Sequence, residues 1–389
     1  MAAAAVLLAA GCSGSGSTTA STSGVDEPGG TSSTTDSTPA ALEVTPKDGA
    51  TDVTPDTTVE VAATKGSISS VTVKDADGHS VPGEVDGSTW KASAKLMPQA
   101  TYTVTVKAEG PGGAPSTEKT TFTTLTPGIT ATYGILYTDQ KVGVAMPAII
   151  QFDSEVTDKA YRQKIEQAVS VKTTPEVEGA WGWLDNRQLM WRPKEFFPSG
   201  TKVEINAPLT GYQTGPQKWI ANDATGAMTI GRNQTSVVDL AKHKMTVKRD
   251  GKVIKTYPVS GGRPGPETET RSGMKVIMTK EPAVTMDSES LGIKKGDPGY
   301  YRIDTNWNMR VTWTGEYVHS APWSQGSQGY ANVSHGCVNM APGDAKWMFD
   351  NSLIGDPMDF TGSEREFAPT EGIGVWQFSW AKWQQQSAL

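Results

Sequence analysis

The chain has 389 residues, 42 acidic against 35 basic, for a formal net charge of −7 at pH 7. That length exceeds one ordinary domain and suggests two to four units, each able to bury its own core, which excludes a minimal stapled scaffold. The acidic balance and the lack of any dense Lys/Arg block exclude nucleic acid as a partner, because nothing would neutralise its phosphates.

Chain order begins with MAAAAVLLAAGC, an apolar run too short to span a bilayer but suited to the h-region of a secretory signal over residues 1–11. Such a run is ordinarily preceded by a positively charged n-region, yet the first basic residue is Lys47, so the true translation start is expected to lie upstream. The ending Ala9-Ala10-Gly11-Cys12 resembles a bacterial lipobox, which implies cleavage before Cys12 and a lipid on its thiol. The expectation is an exported protein held through lipidated Cys12 on the outer face of the cytoplasmic membrane, facing the cell wall. Residues 12–41 follow as a Ser/Thr/Gly-rich flexible linker. Its reach is on the order of 90 to 100 Å extended and nearer 30 Å relaxed, enough to lift a folded body off the membrane.

Residues 42–126 read as short alternating runs (TTVEVAA, SVTVKDADG, TYTVTVKAEG) separated by Gly, Pro and Asp turns, the pattern of a small β-sandwich. Residues 127–227 repeat that grammar. Trp90, Pro98 and the strand TYTVTV are echoed by Trp191, Pro198 and the strand TKVEI, and Pro55 before TTVEV by Pro147 before AIIQF. Two tandem immunoglobulin-like modules are expected, the second carrying a short helical insert at KAYRQKIEQAV.

A third unit, residues 228–361, opens with KMTVKRDGKVIKTYPVS, whose strands meet at Asp250-Gly251, a pair suited to a type I′ turn. Strands follow in MKVIM and MRVTW, then a short amphipathic helix in APGDAKWMFDNSL, residues 341–353. The C-terminal extension, residues 362–389, holds Trp376, Phe378, Trp380 and Trp383 at spacings that fit neither a clean strand nor a clean helix. Such a patch in water invites aggregation, so it is expected to pack onto a neighbouring unit. The fold class is mainly β: two sandwiches, then a β-sandwich catalytic unit with a short helix and a Trp-rich extension.

The chain has two cysteines and four histidines, and His319 and His335 lie close before Cys337. With Cys12 lipidated, Cys337 has no disulfide partner within the chain, although export favours oxidation. A free thiol with a pKa of about 8.5 is mostly protonated at neutral pH and needs a base or a nearby cation to act as a nucleophile. His319 is the candidate base. His335 lies two residues from Cys337, and Gly336 permits a tight backbone whose amide, with that of Cys337, faces a developing oxyanion. The helix that follows offers a dipole that favours a thiolate. Two other readings stand beside this one: a zinc site built from the thiol and both imidazoles, and a cysteine buried as a small hydrophobe.

The run from His319 to Asn339, HSAPWSQGSQGYANVSHGCVN, closely resembles the active-site signature of L,D-transpeptidases of the YkuD family, in which a His-Ser pair precedes Ser-His-Gly-Cys-x-Asn. The whole chain resembles the mycobacterial and actinobacterial lipoprotein members, most strongly over residues 240–361. The resemblance implies Cys337 as nucleophile and His319 as base and later acid, with the Ser320 carbonyl orienting His319. His335, Gly336, Ser334 and Asn339 would shape the site. It implies a two-strand flap over roughly Gly273 to Tyr301, with Met286 and Tyr301 lining the substrate channel and Trp323 at its entrance.

The implied reaction begins with attack by Cys337 on the third residue of a peptidoglycan tetrapeptide stem, releasing D-alanine and leaving a thioester. The side-chain amine of a diamino acid on a second stem then forms a 3→3 cross-link. Covalent inhibition by carbapenems at the same thiol is implied as well, and no cofactor or metal is required. The same acyl-enzyme resolved by water would make an L,D-carboxypeptidase, and resolved by a protein amine would anchor a protein to the wall.

Overall fold

In the computed structural model, which describes residues 38–297 and 300–389, the chain is mostly β-strand. Residues 1–37, with Cys12 and the expected signal, lie outside the described residues. The first unit stacks two sheets. One orders Ala41–Thr45, Glu60–Lys65, Thr89–Ala92 and Gly83–Asp86; the other orders Ala50–Val53, Pro115–Thr124, Thr101–Glu109, Ser67–Asp75 and Ser80–Val81. Alternation in TYTVTVKAE sends Tyr102, Val104, Val106 and Ala108 inward. There Tyr102, Val104 and Val106 meet Val61 and Trp90 from the facing sheet in one core.

The second sandwich repeats the plan. Tyr133–Leu136, Ala148–Phe152, Gln188–Pro193 and Gly179–Trp183 form one sheet, and Lys141–Val142, Ala224–Ile230, Lys202–Ala207 and Ser170–Thr174 the other. The echo of Trp90 in Trp191 has a steric basis. In each sandwich a glycine on the adjacent strand, Gly83 or Gly179, lies flat against the indole, and a Cβ there would run into the ring. The insert forms the helix Lys159–Ala168, with Asp158 accepting from the Ala160 amide at 2.7 Å as N-cap. The strand Ala224–Ile230 pairs with Lys202–Ala207, so the second sandwich runs past the expected boundary at residue 227.

The third unit packs a five-stranded sheet against a four-stranded one. The first orders Lys252–Pro258, Lys244–Arg249, Gln234–Asp239, Pro357–Thr361 and Gly273–Val276; the second orders Thr279–Asp287, Arg302–Arg310, Tyr317–Ser320 and Val338–Met340. Both sheets and the helix Pro342–Asn351 share a core of Val238, Met245, Met309, Val318, Val338, Met348 and Phe360. The hairpin turn at Asp250-Gly251 has φ of 50° and 78°, as a type I′ turn needs. The expected flap is corrected. Gly273–Val276 pairs with Pro357–Thr361 in the other sheet, and the hairpin is Thr279–Asp287 with Arg302–Arg310. The crossing between sheets falls at Ile277 and Met278, both fully buried, so the chain commits to the core there rather than to a solvent-facing flap.

The C-terminal extension packs onto the second sandwich. Trp376 Nε1 donates to the Ala145 carbonyl at 2.8 Å and Trp383 Nε1 to the Ala180 carbonyl at 3.0 Å. The Arg192 guanidinium lies 4.6, 5.3 and 5.7 Å from the rings of Trp376, Trp380 and Trp383, an arrangement that satisfies a buried cation with π-faces. Ile373, Val375 and Trp383 join Val276 and Met278 of the third unit and Ile149, Met190 and Val203 of the second in one continuous core. Replacing Trp383, which is fully buried, by Ala should lower apparent stability by about 3 to 5 kcal/mol. A urea melt of Trp383→Ala within about 1 kcal/mol of wild type would show that the extension contributes little.

Candidate active site around Cys337

The strands Tyr317–Ser320 and Val338–Met340 pair in parallel, with Val318 opposite Val338 and His319 opposite Asn339. Because Val318, Val338 and Met340 point into the core, His319, Asn339 and Cys337 lie on the other face of the same two strands. The turn before Cys337 is closed by side chains. Ser334 Oγ donates to the Cys337 carbonyl at 2.6 Å and accepts from the Gly336 amide at 3.1 Å. Thr270 Oγ1 donates to the Gly336 carbonyl at 2.8 Å. Gly336 sits at φ 129°, a conformation that L side chains rarely adopt, which is the local reason for glycine beside Cys337. The Gly336 amide, expected to face an oxyanion, is thus already donating to Ser334 Oγ.

Asn339 exchanges main-chain hydrogen bonds with Ser260, and its Nδ2 donates to Ser324 Oγ at 3.0 Å, so it ties three segments of the site together. His319 is 3 % exposed, and its Nδ1 bonds the Ser320 carbonyl at 2.9 Å. A carbonyl only accepts, so Nδ1 carries the proton and Nε2 is left as the base. Burial pulls the imidazole down to about 4, against the opposing pull of the Ser320 carbonyl. Trp323 is half exposed and lies 6.1 Å from the His319 ring at 34°, covering the imidazole.

The thiol of Cys337 donates to the Gly315 carbonyl at 3.6 Å. Burial pushes it up to about 12, and the Glu316 carboxylate pushes the same way, while a main-chain bond from Tyr317 and the charges of Lys275 and Arg310 oppose. The thiol and the imidazole are therefore both neutral at pH 7. The expected help from the following helix does not arrive: it begins at Pro342, beyond the strand Val338–Met340. Those residues separate the thiol from the helix by roughly 15 Å, whereas dipole effects fade within the first turn.

A cavity of about 750 Å³ brings Met286, Tyr301, His335 and Cys337 together, with Arg263, Arg310 and Glu316 also in its wall. His319, Ser320, Trp323, Ser334 and Asn339 are not part of that wall. Tyr301 lies 5.1 Å from the His335 ring at 31°, so the hairpin end closes over the turn that carries Cys337. The zinc geometry is not formed. Among the described residues, the His/Cys/Asp/Glu group whose ligand atoms all lie within 4.8 Å of one another is Asp75, Asp77 and His79, in the first sandwich.

Sequence reasoning passed over Arg271, Lys275, Glu316 and Glu371. Glu316 is bound by Lys275 Nζ at 2.5 Å and by Arg271 Nη1 at 3.0 Å, and Arg271 Nε reaches Glu371 at 3.2 Å. The available signal was a lysine standing alone in the apolar strand MKVIM and an acid opening the strand EYVHS.

Residues 50–213 match the bacterial Ig domain family, and residues 233–359 match the L,D-transpeptidase catalytic domain, YkuD. The chain is 34% identical over 345 residues to L,D-transpeptidase 2 of Mycobacterium tuberculosis, covering 88% of this chain and 83% of that protein. It is 33% identical over 357 residues to L,D-transpeptidase 5 of the same species, covering 90% and 77%. A solved LD transpeptidase, LdtMt1 in complex with imipenem, is 34% identical with a TM-score of 0.50, covering 60% of this chain and 99% of that one.

The neutral pair has a measurable signature. Alkylation of Cys337 by iodoacetamide should be slow at pH 7 and climb steeply only above roughly pH 9, and a plateau already reached at pH 7 would contradict a thiol held this high. If His319 serves as base for the thiol, it must be unprotonated. Since burial lowers that pKa from 6.5 to about 4, the acid limb of the pH–rate profile should fall near 4, and a midpoint at 6.5 would contradict the buried neutral base.

Proposed function

The chain belongs to the L,D-transpeptidase family, and from that membership we propose that it is an acyltransferase that forms 3→3 cross-links in peptidoglycan through a thioester on Cys337. The observation that carries the reading is a free thiol and a buried, neutral, oriented imidazole on one face of two paired strands, with a walled cavity open to the sulfur.

In the first half-reaction Cys337 Sγ attacks the carbonyl of the third stem residue while His319 Nε2 takes the thiol proton. The tetrahedral intermediate collapses, the bond to the terminal D-alanine breaks, and the leaving amine collects the proton from His319. In the second half-reaction a side-chain amine of another stem loses a proton to His319, attacks the thioester, and the expelled thiolate is reprotonated. Dividing one acyl transfer in this way replaces a single high barrier with two lower ones. Keeping water from the thioester favours the amine. Because both groups rest neutral, proton transfer accompanies C–S bond formation and does not precede it.

A carbapenem would acylate the same sulfur by ring opening, as the imipenem complex of a similar enzyme suggests. We place the protein outside the cytoplasmic membrane, anchored through a lipid on Cys12, with the sandwiches as spacers. The anchor predicts that the full-length wild type partitions into detergent while Cys12→Ser stays aqueous; equal partitioning of both would remove it.

Intact-protein mass spectrometry with a carbapenem should show a single adduct of drug mass on wild type and none on Cys337→Ala. His319→Gln should slow acylation by about 10² to 10⁴. An equal adduct on Cys337→Ala would remove Cys337 as nucleophile. With a disaccharide-tetrapeptide, the expected product is a cross-linked dimer; free tripeptide alone would replace transfer with hydrolysis.

A further inference from the structure

The mechanism above uses neither Glu316 nor Lys275, yet both are buried beside the nucleophile. We propose that Glu316 is a positioning residue: held by Lys275 and Arg271, it fixes the segment Gly315–Tyr317 that grips the Cys337 sulfur, and Glu371 of the C-terminal extension completes the anchor. The inference rests on the transpeptidase reading.

The sulfur is held from two sides by the residues flanking Glu316, since the Gly315 carbonyl accepts from the thiol at 3.6 Å and Tyr317 supplies a main-chain bond to it. Glu316 is tied at every polar group. Its amide donates to Thr312 Oγ1 at 2.9 Å and its carbonyl accepts from Val311 N at 3.0 Å. Its carboxylate takes Lys275 Nζ at 2.5 Å, Arg271 Nη1 at 3.0 Å and the Arg271 amide at 3.1 Å. The carboxylate stem also packs under the nucleophile turn, because a Cβ on Gly336 would meet Glu316 Cγ at 3.7 Å. The extension reaches this cluster from two segments, through Arg271 Nε to Glu371 at 3.2 Å and through Trp313 N, on the loop that carries Glu316, to the Glu371 carbonyl at 2.6 Å.

Lys275 is fully buried, with its ammonium 4.0 Å above the Phe360 ring. A buried ion pair seldom adds net stability, so its use here is better explained by the geometry it imposes. The ionisable groups that face the thiol are Glu316, Tyr301 and Tyr317, the cations Lys275 and Arg310, and His335 across the cavity.

The test uses the soluble chain, with folding checked by near-ultraviolet circular dichroism. In Glu316→Gln, Lys275 and Arg271 lose their counter-charge, so the alkylation midpoint of Cys337 should move down by about one pH unit or more. The displaced sulfur should lower kcat for transfer from a disaccharide-tetrapeptide by about tenfold or more with KM within about twofold. Glu371→Gln, at a partly exposed position, should lower kcat by about threefold with KM unchanged. A folded Glu316→Gln with wild-type kcat, or with an unmoved alkylation midpoint, overturns the proposal. If Glu316→Gln does not fold, the charge-free pair Lys275→Met with Glu316→Gln takes its place, and wild-type kcat there overturns it equally. Wild type that fails to acquire a carbapenem adduct would instead sink the transpeptidase reading.

Discussion

The parallel pairing of Tyr317–Ser320 with Val338–Met340 sets every distance at the site. These strands are far apart in sequence, and a parallel pair needs a long crossover, here the stretch through Trp323 and the nucleophile turn. Side chains alternate across a strand, so a slip of one residue would send Cys337 and Asn339 into the core and Val338 onto the active face. Val318, Val338 and Met340 in the shared core prevent that slip. Hydrophobic burial on one face therefore holds the catalytic register on the other.

Burial also decides the charge state. The same exclusion of water that orders His319 lowers its basicity, and it raises the thiol at Cys337. A neutral thiol is a poor target for oxidants, which attack the thiolate. The cluster of Glu316, Lys275, Arg271 and Glu371 follows the same rule for buried charge: each of these four ions is matched by an opposite charge within 3.2 Å.

The extension links the second sandwich to this centre. Arg192 belongs to the second sandwich, the indoles around it to the extension, and Glu371 to the same extension a few residues earlier. Main-chain bonds from the Gly143 and Ala145 amides to the Ile354 and Gly355 carbonyls, at 2.7 and 3.0 Å, add a second tie between the second sandwich and the catalytic unit. With one core running through all of them, the second sandwich and the catalytic unit behave as a single packed body, not as beads on a linker.

Much was legible in the sequence because it is written in local chemistry. Period-two alternation marked the strands, Asp250-Gly251 marked a turn that needs two positive φ values, and the repeated tryptophans marked two related sandwiches. The run HSAPWSQGSQGYANVSHGCVN announced a thiol, an imidazole and a glycine turn at fixed spacing. What the sequence did not carry was whatever depends on which strand lies beside which. The resemblance puts the flap too early because its span is carried over from the family, and only sheet pairing shows that Gly273–Val276 belongs to the other sheet and that the hairpin starts at Thr279. The helix was credited with a dipole at Cys337 because proximity along the chain is not proximity in space once a strand intervenes. The ion cluster was missed because Arg271, Lys275, Glu316 and Glu371 are scattered over a hundred residues and meet only in the folded core. Residue types and spacings determined the chemistry available to this protein; the tertiary structure alone decided the protonation of that chemistry, because burial is a property of the whole fold.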